Sequence, residues 1–323
     1  MSARTVRTGR RTGRPGRLGR LGRLGRPGRT GRIVGLALLA PLLLVVPPAT
    51  TSHTPAGLVA TGLARGVDHD ERMLWILALG SDARPGQNIT RQRADAIQMV
   101  GVNFATGDAV SIGVPRDSWV PIPGHGSGRV NSALTFGGPE LMGRTVGNLV
   151  GVQPDYVFLT SFTGFKQMVG SIGGVTVNSR MAFRDDAMEG SIRKGRNTLK
   201  PWEALFFSRA RHFLPRGDFD RSANQQEMLR AILRRVRLMQ DAPGFMERAL
   251  LSVAQNLTTD LSPAALFRLA QALTAIDPSA MPTCVLDGSY GYVNGASIIF
   301  PDVAQARRLG NEARNDGRFA RGC

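Results

Sequence analysis

The chain has 323 residues, 42% of them hydrophobic, enough for a sizeable core and one or two domains. Its formal charge is +17, but eleven of the 41 basic residues sit in residues 1–32; this leaves 30 basic against 24 acidic residues, or about +6, which is not a nucleic-acid-binding composition for the body. Two cysteines, four histidines and no CxxC or HExxH spacing exclude the common zinc arrangements.

Residues 1–32 repeat Gly-Arg with Leu or Pro between, and have no helical periodicity. A disordered basic tail is expected there, able to contact anionic lipid. Residues 33–48 are uncharged and mostly apolar. Two readings of this segment compete. It is a retained signal anchor, with the tail on the cytoplasmic side, or a signal peptide that is cleaved. Either reading exports the body, from a membrane-held or a secreted form. Residues 49–72, rich in Thr, Pro, Gly and Ala, read as a linker.

The body begins with three strand-like runs, Met73–Leu79, Ala96–Asn103 and Ala109–Val114, the last two joined by a hairpin-type turn at Thr106-Gly107-Asp108. A helix over Ser132–Val150 is expected to break near Gly137-Gly138-Pro139. A strand at Asp155–Thr160, a helix at Phe162–Ile172 and a short strand at Val175–Val177 follow. Helices are expected from Pro201, over Arg221–Met239, near Gly244–Asn256 and over Pro263–Ala275. Strand-like segments around Cys284 and Val293–Phe300 precede a last helix at Val303–Ala313. Interleaved strands and helices predict an α/β fold: a layered α-β-α domain with a central mixed sheet. Residues 73–240 are expected to form the catalytic domain, with 241–323 as a helical and β extension packed on it. Cys284 and Cys323 are either a disulfide or two free thiols; an exported location favours the disulfide.

Most of the charged residues that stand out follow or interrupt apolar runs. They are Asp82, Arg93, Asp95, Arg116, Asp117, Arg209, Arg211, Asp218 and Arg221. Arginine is a rigid cationic fork matched to phosphate oxygens. Aspartate is a hard ligand suited to Mg²⁺, which binds through one or two carboxylates plus substrate phosphates. If the first two strands pair, Asp82 and Asp95 reach one end of the sheet. Arg209 and Arg211 face the same way if their segment is extended, and Asp218 is then the acid that separates or orients them. Arg221 and Gln225 share a helix face beside the helix N-terminus, a credible anion site. Arg129 adds a further phosphate contact. The pattern reads as a site for a phosphate-rich ligand bound with a metal.

These residues stand in an order that resembles the LytR-CpsA-Psr family. The motifs are Leu79-Gly80-Ser81-Asp82-Ala83-Arg84, Arg93-Ala94-Asp95, Val114-Pro115-Arg116-Asp117, Arg129-Val130-Asn131, Arg209-Ala210-Arg211, Gly217-Asp218-Phe219-Asp220-Arg221 and Gln225-Gln226. The resemblance covers roughly residues 73–240. Arg129 stands where the family usually has lysine, and Ala94 where it often has serine. The resemblance implies an extracytoplasmic, membrane-anchored phosphotransferase. Its partners are a polyprenyl-pyrophosphate-linked glycopolymer and peptidoglycan, which it joins through a phosphodiester, and no nucleic acid. It also implies roles for the residues. Asp82 and Asp95 would hold Mg²⁺. Arg93, Arg116, Arg129, Arg209, Arg211 and Arg221, with Gln225, would bind pyrophosphate. Asp218 would orient the arginines. Arg116, Asp95 and Asp117 are the catalytic candidates, with no general base singled out. Two other readings of the same site are hydrolysis of the lipid pyrophosphate and its binding without turnover.

Overall fold

The apolar run that opens the body becomes the strand around which everything else is arranged. The computed structural model describes residues 73–186, 188–258, 261 and 263–323. The basic tail, the apolar segment at 33–48 and the linker at 49–72 lie outside the described residues. Among the described residues no helix is long and apolar enough to cross a membrane.

Strand β1 (Met73–Ser81) leads through a loop with one 3-10 turn (Ile89–Arg91) to β2 (Ala94–Asn103), which turns into β3 (Ala109–Gly113). A small hairpin, β4 (Trp119–Pro121) and β5 (Ser127–Arg129), precedes helix α1 (Ser132–Val150). Then come β6 (Tyr156–Ser161), α2 (Phe162–Ser171), β7 (Val175–Ser179), β8 (Phe183–Asp185), β9 (Gly190–Ile192) and β10 (Gly195–Leu199). Helices α3 (Pro201–Arg209), α4 (Asp218–Met239) and α5 (Phe245–Asn256) follow. The chain ends with β11 (Leu257–Thr258), α6 (Pro263–Thr274), β12 (Thr283–Val285), β13 (Gly288–Val293), β14 (Ala296–Pro301) and α7 (Val303–Ala313).

The central sheet has six strands in the order β11-β6-β1-β2-β3-β12. It is mixed: β1 runs antiparallel to β2 but parallel to β6, and β12 runs parallel to β3. Both edge strands, β11 and β12, come from residues beyond 240, so the C-terminal part is built into the same sheet.

Alternation along the strands sorts the two faces. Trp75, Leu77, Leu79, Ile97, Met99 and Ile112 are buried with side chains of α1 and α7 in one core. The opposite face carries Gln98 and Ser111, both buried, and meets α4. Gly113 makes that approach possible: a Cβ there would lie 2.5 Å from Ser222 Oγ. A second core joins β7 and β10 to α3, α4 and α5. The expected break in α1 falls at Gly138, with φ 71° and ψ −164°, just before Pro139.

Two elements differ from expectation. The run at Val293–Phe300 is not one strand but the end of β13 and most of β14, folded on each other around Asn294-Gly295, whose φ values are 50° and 76°. That dipeptide is a hairpin turn signal which the apolar run on either side obscures. Helix α4 starts at Asp218 rather than Arg221, because Asp218 and Asp220 occupy its first turn, where acids complement the helix dipole. Cys284, buried in β12, is bonded to Cys323.

Candidate functional site

The ladder between β1 and β2 breaks at one place. Gly80 faces Ala96 and Ser81 faces Ala94, so Asp95 is the extra residue of a β-bulge. A bulge twists its strand and re-aims a side chain. The ladder resumes with the Asp82 amide donating to the Arg93 carbonyl at 3.1 Å. Asp82 and Asp95 therefore sit at the same end of the sheet. The Asp95 carboxylate pairs with Arg116, which leaves the end of β3 through Val114-Pro115.

Asp117, the next residue, is buried and gathers two cations. Arg211 Nη1 lies 3.1 Å from one carboxylate oxygen and Arg129 Nε lies 3.7 Å from the other. The third centre is the start of α4, where Arg221 pairs with Asp218 one turn back, and both are buried. Burial pulls the pKa of Arg116 down, but Asp95, Asp117 and Asp218 more than offset it, so its cationic form is favoured. For Arg221 burial prevails: its pKa is lowered, with Asp218 opposing and Arg116 and Arg211 adding repulsion. Four arginines thus sit together, held by three carboxylates. Arg116 Nε and Ser118 Oγ are buried without a hydrogen-bond partner among the described residues. Packed cations with unused donors are what an anion such as a phosphate satisfies.

Arg209 ends α3, and its guanidinium lies 4.3 Å from the centroid of the Phe162 ring. Both line a cavity of about 340 Å³. Its floor is the sheet (Ala78, Gly80 and Ala96), and its walls come from α2 to α6. The lining is almost wholly apolar except near Asp95, Gln98, Gln225 and Arg209.

A family model described as the LytR_cpsA_psr family matches residues 53–315. The chain belongs to this family. A Bacillus subtilis relative, named polyisoprenyl-teichoic acid–peptidoglycan teichoic acid transferase TagU, is 35% identical over 159 residues, 49% of this chain and 50% of that protein. An Enterococcus faecalis relative of the same name is 30% identical over 188 residues, 58% of this chain and 61% of that protein. The chain thus matches only about half to three-fifths of the length of these curated relatives. Among solved structures, TagT bound to LIIa-WTA superposes with a TM-score of 0.62 at 26% identity, over 77% of this chain and 93% of that one.

Within this family fold, the structure brings together Asp95, Arg116, Asp117, Arg129, Arg211, Asp218 and Arg221. Other expected residues are placed differently. Arg209 and Arg211 do not face the same way: the helix ends between them, so one lies on Phe162 and the other on Asp117. Asp218 does not stand between that pair; its partner is Arg221, and Asp117 takes Arg211. Gln225 has no spare donor: its amide nitrogen bonds the carbonyls of Asp95 at 3.2 Å and Ser208 at 3.1 Å, and its oxygen accepts from Gln98 at 3.2 Å. It fixes the bulge against the end of α3. Arg93 is exposed and makes no ion pair among the described residues.

The donor set fits Mg²⁺ of the kind held mainly by substrate phosphates. Asp82 is half-buried with no ion pair among the described residues, and Asp95 has only one oxygen on Arg116. No cluster of three metal-ligating side chains exists among the described residues. Sequence reasoning missed Gln98 and Phe162. Gln98 gave a signal, a polar side chain in the middle of an apolar strand; Phe162 gave none that separates it from core.

Proposed function

We propose that this chain transfers a glycopolymer from a polyprenyl-pyrophosphate carrier to peptidoglycan, as a phosphodiester, on the exported side of a membrane. The observation that carries the reading is the junction of an apolar cavity with an arginine cluster: Asp95 lines the one and pairs with Arg116 in the other. A lipid pyrophosphate needs both, an apolar slot for its tail and cations for its head. The relatives named as teichoic acid transferases support the same class of reaction. The Cys284–Cys323 disulfide suits an oxidising compartment.

In the reaction, a hydroxyl oxygen of the acceptor glycan attacks the phosphorus that carries the glycopolymer. The bond from that phosphorus to the polyprenyl phosphate breaks, and polyprenyl phosphate leaves. The hydroxyl proton is lost to water or to a site carboxylate. Phosphoryl transfer asks mostly for positioning and charge stabilisation. Arg116, Arg211 and Arg221 neutralise the pyrophosphate, with Asp117 and Asp218 holding two of them in place. Arg209 stands at the cavity, beside the leaving phosphate. Asp82 and Asp95 would hold Mg²⁺, which when bound adds further neutralisation of the phosphate charge.

The test combines the purified body with a polyprenyl-pyrophosphate-linked saccharide, peptidoglycan oligomers and Mg²⁺. Mass spectrometry should find a saccharide–phosphate–glycan adduct that disappears in Arg116→Ala. Free saccharide phosphate with no adduct would mean hydrolysis, and Mg²⁺-dependent lipid retention without turnover would mean binding alone.

A further inference from the structure

The hairpin of β13 and β14 plays no part in the chemistry above, yet it is fastened to the site at two points and to the segment that leads into and opens α4 at a third. Arg129 Nη2 donates to the Ser297 carbonyl at 2.8 Å. The Ile299 amide donates to the Asp117 carbonyl at 3.0 Å. Tyr290 Oη donates to the Arg216 carbonyl at 3.0 Å, and its ring meets Phe219 edge-on.

Tyr290 pairs with Ile299 and Tyr292 with Ser297. Partners across an antiparallel ladder, and residues two apart on one strand, share a face. Tyr290 and Tyr292 therefore stand side by side on one face, the face on which the Tyr290 side chain meets Arg216 and Phe219. Tyr290 is 52% exposed although its hydroxyl is anchored, and Tyr292 is 77% exposed. Two adjacent tyrosine rings offered to water on a strand pair that is locked to catalytic-site residues call for a ligand with a flat, partly apolar face and a polar rim.

We propose that Tyr290 and Tyr292 form a stacking platform for a sugar ring of the acceptor glycan. A pyranose packs its C–H face on an aromatic ring and keeps its hydroxyls in water, and tyrosine offers the matching mixture of apolar body and polar tip. The acceptor, rather than the lipid donor, is chosen by the direction of the reaction, and so this inference rests on the transfer reading. Attacking and leaving oxygens lie roughly in line. The leaving polyprenyl phosphate belongs to the cavity, which no hairpin residue lines. The contacts run from the cavity through Asp95 to Arg116, and from Asp117 and Arg129 to the hairpin. The platform is thus beyond the arginines from the leaving group, where the incoming hydroxyl must come from.

The test is calorimetric titration of the protein with a peptidoglycan tetrasaccharide, beside a parallel titration with farnesyl pyrophosphate. Tyr292→Ala should weaken the glycan about tenfold, the effect of losing one good aromatic contact. Tyr292→Phe should restore it, and farnesyl pyrophosphate binding should not change. Because the side chain is exposed, neither variant threatens folding. Unchanged glycan affinity in both Tyr292→Ala and Tyr290→Ala would overturn the platform. So would a loss of binding to anionic lipid vesicles in Tyr292→Ala with glycan affinity intact, which would make the pair a membrane contact. If the wild type binds glycan through Tyr292 but never transfers, the platform stands and the transfer reading falls. If it transfers with an acceptor KM indifferent to Tyr292, the platform alone falls.

Discussion

Arg221 reaches back one helical turn to the carboxylate of Asp218, and neither side chain has appreciable contact with water. Around them lie Arg116 and Arg211, which repel Arg221, so the pair is the fixed point against which the other arginines are set. Removing one member of a buried ion pair strands the other charge in the interior, at a cost of about 3–5 kcal/mol. Arg221→Ala and Asp218→Ala should therefore each lower unfolding stability by that order, and the double variant by much less than the sum. Urea denaturation of the three variants checks this; additive losses would show that the two side chains act independently.

Arg116 is a different case. It and Asp95 keep some contact with solvent, and the loop that carries Arg116 is held by backbone bonds that the side chain does not make. Arg116→Ala should lower the thermal transition less than Arg221→Ala does and leave the protein folded. Transfer should fall by about 10²–10³ in kcat, the usual loss when one donor to developing charge is removed. Near-normal turnover in a folded Arg116→Ala protein would remove this residue from the mechanism.

The motifs in the sequence picked out Asp95, Arg116 and Asp117 as candidates at the ends of apolar runs, and the structure brings the three together. How they are aimed was not legible. The bulge at Asp95 depends on the register of two strands, which no local pattern specifies. The spacing of Arg209 and Arg211 suggested a shared direction, but the C-terminus of α3 falls between them and turns them apart. Gln225 looked like a ligand-facing residue because it lies one turn from Arg221. Its amide is used up by carbonyls from two other elements, a fact of tertiary packing. The cavity was invisible for the same reason: Phe162, Phe165 and Met168 have the spacing of core residues, and only the packing of α2 to α6 leaves space between them.

That space makes a separate prediction about the donor. Ala78 lies on the cavity floor and is only partly buried, so a larger side chain there can grow into the cavity without displacing the packed core on the other face of β1. Ala78→Phe should weaken binding of long polyprenyl pyrophosphates and leave a short isoprenyl pyrophosphate almost unaffected. Competition titrations with donors of increasing chain length will show the trend. Equal weakening for all lengths would mean that the tail does not enter this cavity.

The disulfide bears on the last prediction. Cys284 lies in edge strand β12, just before the hairpin, and Cys323 closes a loop with a sequence separation of 39. Closing a loop of that length in the unfolded chain is worth about 4 kcal/mol in the chain-entropy account. A second tie holds the same C-terminal segment: Arg318 on Asp108, in the turn between β2 and β3. The Asp108 pKa is lowered, first by the Thr106 hydroxyl and then by Arg318. A lowered carboxylate pKa contributes stability above the unfolded value near 3.8 and loses it as pH falls through the folded value. Arg318 is largely exposed and Asp108 partly so, so solvent screens the pair and this tie contributes little at any pH. Acidification to pH 4 should therefore leave the C-terminal segment in place. Reduction, or Cys323→Ser, should lower the melting temperature at every pH and increase amide exchange in β12 and the hairpin. Hydrogen exchange at pH 4 and pH 7, with and without reductant, separates the two ties: protection lost with acid but kept on reduction would give the ion pair the larger share.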